Sequence, residues 1–184
     1  MVKVKGSVVS EGIGAARERL GMTRFQQLLS LLDEETRKMV EEPILAMSWV
    51  SLDLWVRFLK ADVDLTEKGN GQALIARSEG VIERQLKGIY KTFVKESPEA
   101  LIRSLNGIAG SYYQGVKSEA TMTGPKTAVV RYVGFEKQHK LAGYSIIGFC
   151  RKALELSGAK NAVVRFTTSI EDDKGFADLA ISWD

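Results

Sequence analysis

Between Val116 and Trp183 the apolar residues recur first at every second position, then at helical spacing, then at every second position again, and few folds accommodate that order. Val116, Ser118, Ala120 and Met122 share one face of an extended segment, with Lys117, Glu119 and Thr121 on the other, as in a half-buried strand. Thr123-Gly124-Pro125-Lys126 supplies turn chemistry, and the β-branched run from Thr127 to Val133 supplies a hairpin partner. From about Lys140 to Ser157 the stripe Ala142, Ile146, Phe149, Ala153 and Leu156 predicts a helix. Ile147, Cys150 and Leu154 widen the stripe, and Gly158 caps the end in the left-handed conformation. Ala162 to Thr168 makes a third strand. The fourth alternates Ala177, Leu179, Ile181 and Trp183 against Asp178, Ala180 and Ser182, across the acidic connection Glu171-Asp172-Asp173. The helix packs one face of the resulting sheet. Val129, Val133 and Val163 on the other face then call for a second cover, which the preceding two-thirds of the chain must provide.

That preceding part is helical. Glu11 to Leu20 follows Ser10 and stops at Gly21; Thr23-Arg24-Phe25-Gln26 matches a capping box ahead of Phe25, Leu28, Leu29 and Leu32. Asp33 caps a segment that runs to Pro43, and Ser51 opens a helix carrying Leu52, Trp55, Val56, Leu59 and Val63. A long pattern extends from Gln72 to about Val94, and Ser97-Pro98-Glu99 starts another helix through Leu101, Leu105 and Ile108. Gly69-Asn70-Gly71 reads as a loop. The expected architecture is α+β. A helical N-terminal portion (1–111) packs on a C-terminal four-stranded antiparallel sheet (112–184, β-β-α-β-β) with one crossing helix, and the 184 residues make a single domain.

Charge and cysteine usage narrow the function. A net charge of +3 without a basic stripe disfavours nucleic acid as a partner. A single cysteine permits no internal disulfide and suits a reducing, cytoplasmic setting. Met1 to Lys5 has no apolar signal core behind it. The greasiest stretch, Pro43 to Leu59, is interrupted by Asp53 and Arg57, so no membrane span is expected.

No residue set with catalytic spacing emerges. Val8-Val9-Ser10-Glu11-Gly12-Ile13-Gly14 looks like a short strand running through glycines into a helix. Arg17 fills the third small position of the dinucleotide fingerprint, and no acidic strand end follows, so the glycines read as steric. His139, the sole histidine, reads as solvated beside Lys137 and Lys140; Cys150 lies about 16 Å further along the same helix by its rise, too far to pair with it. Cys150 reads as a small core residue. The acidic connection reads as a solvated turn, and one cysteine with one histidine leaves no zinc pattern and no metal site. We therefore expect neither an enzyme nor a resident cofactor. The aromatics are the remaining candidates. Trp49, Trp55, Phe58, Phe93, Tyr112, Tyr132 and Phe149 lie on segments enclosing the interior, and such linings hold small apolar ligands oriented by a few polar groups.

Several ordered pieces carry a resemblance. They are Lys5-Gly6-Ser7-Val8, Arg17-Glu18-Arg19-Leu20-Gly21, Ser48-Trp49, Ser111-Tyr112-Tyr113, Tyr132-Val133-Gly134-Phe135, Ala153 to Ala159 and Ile181-Ser182-Trp183. Together they make the chain similar to an uncharacterised bacterial, myxobacterial-type family that resembles 4-vinyl-reductase and haem-nitric-oxide-binding domains. The resemblance implies a sensory or regulatory domain binding a small hydrophobic or aromatic ligand and signalling to a protein partner. It also includes vesicle-tethering scaffolds, so the rival expectation is a ligand-free interaction module or homodimer. The haem-binding relatives carry Tyr-x-Ser-x-Arg and an upstream proximal histidine; this chain has Tyr132-Val133-Gly134-Phe135-Glu136 and no histidine before His139. The cysteines that suggest a metal site near the final hairpin of many such domains are missing as well. Haem and metal are not expected.

Overall fold

The computed structural model describes every residue except Ile89. In chain order the elements are β1 (Lys3–Lys5), α1 (Gly6–Ser30), α2 (Glu34–Glu41), β2 (Trp49–Ser51), α3 (Leu52–Glu67), α4 (Ala73–Lys87) and α5 (Pro98–Tyr112). They continue with β3 (Tyr113–Gln114), β4 (Lys117–Gly124), β5 (Thr127–Val133), α6 (Lys140–Leu156), β6 (Val163–Thr168) and β7 (Phe176–Ser182). The larger sheet has the order β4-β5-β7-β6, antiparallel throughout, with β5 and β7 central. Both expected hairpins form, and the helix between them crosses the sheet.

The alternation read from sequence is the alternation of burial. Ala128, Val130 and Tyr132 of β5 and Ala177, Leu179 and Ile181 of β7 are buried, and they face the stripe Ala142, Ile146, Cys150 and Ala153 of α6. Gly158 takes φ +96°, the left-handed turn that ends α6. Asp33 and Ser97 accept from the backbone N–H of Thr36 and Ala100 respectively, each capping its helix as predicted.

No second cover lies over the sheet among the described residues. Val133 and Val163 are 46% and 55% exposed, and Arg131 and Asp178 form a bidentate pair (2.8 and 2.7 Å) on the same outward face. The helical portion lies instead on the α6 side and along one sheet edge. There α5 packs beside β4, and the Asn106 side chain accepts from the edge N–H of Ala120 at 2.9 Å. Polar residues interleave with the valines on the open face, which makes their exposure tolerable.

Four further differences have local causes. Val8 and Val9 are helical, not strand: Lys3–Lys5 is the strand, and α1 starts directly at Gly6, where a side chain would strike the carbonyl of Leu45. β1 pairs between β2 and β3 in a small three-stranded sheet that the pattern did not reveal, because strands of two or three residues carry no periodicity. The expected stop at Gly21 (φ +68°) is a kink within α1, without the capping box at Thr23. The long pattern from Gln72 breaks earlier than Val94: α4 ends at Lys87, Gly88 leaves helical geometry, and Lys91–Phe93 is a 3₁₀ turn, with Ile89 outside the described residues. No helix among the described residues is long and apolar enough to cross a membrane.

Helices α4 and α6 approach closely at Gly148. A Cβ there would lie 2.6 Å from the Ile75 carbonyl oxygen and collide with Ser78 Oγ. Gly148→Ala should cost about 1–3 kcal/mol by overpacking, since a backbone atom cannot swing aside. A thermal melt checks this; an unchanged midpoint would show that the crossing is loose.

Candidate functional site

Two small chambers lie where the helical portion meets α6 and the sheet. The larger, about 80 Å³, sits between α1, α3 and α4; Trp55 and Phe58 form one wall with rings stacked 5.2 Å apart. The smaller, about 50 Å³, lies among α4, α5, α6 and β5, walled by Tyr112, Tyr132 and Phe149. Val8, Ile82 and Ser145 border both, so one partition of three side chains stands between them.

Gly12, the first glycine of the partial fingerprint, belongs to this site. A Cβ there would stand 2.5 Å from the Trp55 ring, so glycine is what lets that indole seat against α1. Gly14 has nothing within 4 Å and carries no such reason.

Of the sequence candidates, Trp55 and Phe58 thus line the larger chamber and Tyr112, Tyr132 and Phe149 the smaller. Trp49 and Phe93 line neither. Trp49 sits on β2 with Lys5 Nζ 4.4 Å above its ring, and Phe93 stacks on Tyr90 at 5.2 Å behind Tyr112. The Tyr112 ring also meets Phe149 edge-on at 5.3 Å.

The polar groups were the part that sequence reasoning missed. Asp62, 3% exposed, receives both 2.7 Å bonds from one Arg19 nitrogen and a 3.0 Å bond from Arg77 Nη1, which ties α1, α3 and α4 together at the larger chamber. Arg77 also pairs with Glu67 and donates to Thr66. Gln85, 2% exposed, donates from Nε2 to the Ser7 carbonyl at 3.4 Å, near Glu11, whose carboxyl is raised by burial. Ser7 Oγ in turn meets the Tyr90 hydroxyl at 3.0 Å. A signal did exist. Asp62 follows Leu59 by three residues and Gln85 follows Ile82 by three, each a polar residue at an apolar register position.

Two buried acceptor or donor atoms in this region have no partner among the described residues: Gln85 Oε1 and the Tyr112 hydroxyl. Native interiors rarely leave such atoms empty. Burial holds the Tyr112 hydroxyl far above the ordinary phenol range, with Tyr90 beside it adding to the effect, so it stays protonated.

His139 is not solvated as expected. It is fully buried: Nδ1 accepts the Glu136 backbone N–H at 3.0 Å, which assigns the proton to Nε2, and Nε2 donates to Asp53 Oδ1 at 3.0 Å. The ring therefore ties α3 to the start of α6. The cause is the tight 3₁₀ turn Lys137–His139, which points the imidazole inward while Lys137 faces the surface. The acidic connection is a turn whose carboxylates are engaged: Asp172 accepts from the Ser169 N–H and Glu171 pairs with Lys140.

Cys150 is buried under β5, near the Tyr132 hydroxyl, and burial pushes its thiol up to about 12. Because the thiolate is the reactive species, the folded protein at pH 8 should resist iodoacetamide and react at this position only once denatured. Mass spectrometry of the alkylated peptide reads the outcome; modification at native rates typical of a free thiol would mean that α6 opens readily.

Neither a family model nor a curated protein matches this chain. Solved structures do. A mutant of an Fe(II) unliganded H-NOX protein from K. algicida superposes with a TM-score of 0.76 at 11% identity, covering 98% of this chain and 96% of that one. A mutant of T. tengcongensis H-NOX gives 0.68 at 14% identity, covering 98% and 97%. An oxygen-binding H-NOX domain related to soluble guanylate cyclases gives 0.66 at 14%, covering 98% and 95%. The chain has an H-NOX-like α+β fold over 98% of its length.

That fold family implies haem, and the residues here do not fit one. The chambers, at about 80 and 50 Å³, are several-fold too small for a macrocycle, since pockets for drug-sized ligands run to ~300–1,000 Å³. The one histidine is fully buried, borders neither chamber, and has both ring nitrogens engaged. Gly134 stands at the serine position of the haem motif with φ +113°, and a side chain there would collide with the Gly115 carbonyl. Glu136 stands in place of the arginine.

Proposed function

We propose that this chain is a sensory or regulatory domain, without catalytic activity or haem, that takes a small neutral guest into its paired chambers and reports occupancy to a protein partner. The observation that supports this best is the position of the chambers. They lie at the junction of α1, α4, α5, α6 and the sheet, lined by the aromatic rings, with two unpartnered polar atoms at their edges. A junction of this kind couples occupancy to packing, because a guest that prefers one arrangement of the helices over the sheet shifts the protein toward it. The kinship of the chain with 4-vinyl-reductase domains belongs to the same proposal, as does the aromatic character of the guest.

Size limits the guest. Even joined, the chambers fall short of the ~150 Å³ of an apolar cavity that admits benzene, so the guest is small or enters with a rearrangement of the partition. Native mass spectrometry followed by thermal shift tests the reading. A guest present at 100 times its Kd should stabilise by about 2.7 kcal/mol. Purified protein without retained mass, together with no shift across a panel of small neutral rings and chains, would overturn it.

One observation favours a second reading, an interaction module. The outward sheet face, with Val133 and Val163 exposed and Phe176 beneath Arg131 at 4.2 Å, is covered by no described element. Light scattering reads this alternative: a stable dimer abolished by Val163→Lys supports it, and a monomer at all accessible concentrations removes it.

A further inference from the structure

Gln85 sets the chemistry of the larger chamber. Its side chain is 2% exposed and borders the chamber, and its amide orientation is fixed by its neighbours. Nε2 donates to the Ser7 carbonyl oxygen, so turning the amide over would set Oε1 against that oxygen. Oε1 is left as an acceptor without a donor among the described residues. The ion network in the chamber's own wall offers no net counter-charge: Arg19 and Arg77 are matched by Asp62 and Glu67.

We propose that the larger chamber selects a small neutral molecule bearing an N–H or O–H donor, which donates to Gln85 Oε1 while its apolar body lies on Trp55 and Phe58. This rests on the reading of the chambers as a ligand site and adds the property on which they discriminate. An anion brings further acceptors to Oε1 and finds the two guanidinium groups of the wall, Arg19 and Arg77, already paired. A cation gains one hydrogen bond but leaves water for a wall whose charges are already cancelled. A hydrocarbon of the same shape fits and leaves Oε1 desolvated and empty. The Tyr112 hydroxyl repeats the vacancy in the smaller chamber, where it can donate or accept and so does not discriminate.

Pyrrole and furan separate these possibilities: both are neutral rings smaller than benzene and of nearly equal shape, so both need the same displacement of the partition of Val8, Ile82 and Ser145, and only pyrrole carries a donor. Binding is followed by NMR titration of the Trp55 indole resonance, with Trp183 as an internal control. Leaving a buried acceptor unsatisfied costs about 1–3 kcal/mol, which converts to roughly 5- to 150-fold tighter binding of pyrrole than of furan. The preference should vanish in Gln85→Leu and persist in Tyr112→Phe. Equal affinities for the two rings, with Trp55 shifting for both, would overturn donor selection and leave the ligand site standing. Titration of neither ring at Trp55 would overturn both. The comparison within the unaltered protein decides the matter even if Gln85→Leu fails to fold.

Discussion

Asp62→Ala should lower the free energy of unfolding by about 3 kcal/mol, because it strips two guanidinium groups of their shared buried partner. The carboxylate is 4% exposed, whereas Arg19 and Arg77 retain 32% and 19% of their side-chain surface. That residual access places the expected loss at the low end of the usual ~3–5 kcal/mol for breaking a buried pair, since both cations can turn partly to water. For a chain of this length the melting temperature should fall by roughly 6–12 °C. Chemical denaturation gives the free energy directly. A loss below about 1 kcal/mol would place these bonds among ordinary surface ion pairs and remove the argument that they hold α1, α3 and α4 around the chamber.

Ile82→Ala carries a second large effect and a diagnostic rescue. Ile82 is 7% exposed and belongs to the partition between the chambers. Deleting its outer carbons should cost about 2–5 kcal/mol, through lost burial and the void left behind. The void does not stand alone, since it joins the two existing chambers into one space of the ~150 Å³ class that admits benzene. The variant should therefore recover part of its loss when saturated with a single-ring guest, by about 2.7 kcal/mol at 100 times Kd. The unaltered protein should respond less to the same benzene, because its partition is intact. Thermal shift of both proteins side by side reads the result. A destabilised variant that benzene leaves unmoved would mean that the walls collapse into the gap and that the chambers are not one divisible space.

The C-terminal unit was legible residue by residue because burial there follows a single repeating contrast. Each inward residue of β5 and β7 meets α6, so period 2 and period 3.6 appear directly in the chain. Trp55, Phe58, Tyr112, Tyr132 and Phe149 were recognisable as interior rings for the same reason. Their division between two chambers was not, nor was the exclusion of Trp49 and Phe93, because which rings converge depends on helix crossings set by contacts such as Gly148 against Ile75.

His139 shows the limit from the other side. Two flanking lysines suggested solvent, yet a 3₁₀ turn lasting three residues buried the ring against Asp53, 86 positions earlier in the chain. The open outer face of the sheet is a similar case: its valines suggested a cover, and the cover went to the edge of β4 instead.

The amino-acid order thus determined the four long strands, the helix that crosses them and the helical character of the preceding part, since those follow from local periodicity and the hydrophobic effect. Tertiary structure alone decided the short β1-centred sheet, the Arg19–Asp62–Arg77 junction and the vacant Gln85 acceptor. Each of these depends on groups far apart in the chain meeting within hydrogen-bond range, and no local pattern encodes such a meeting.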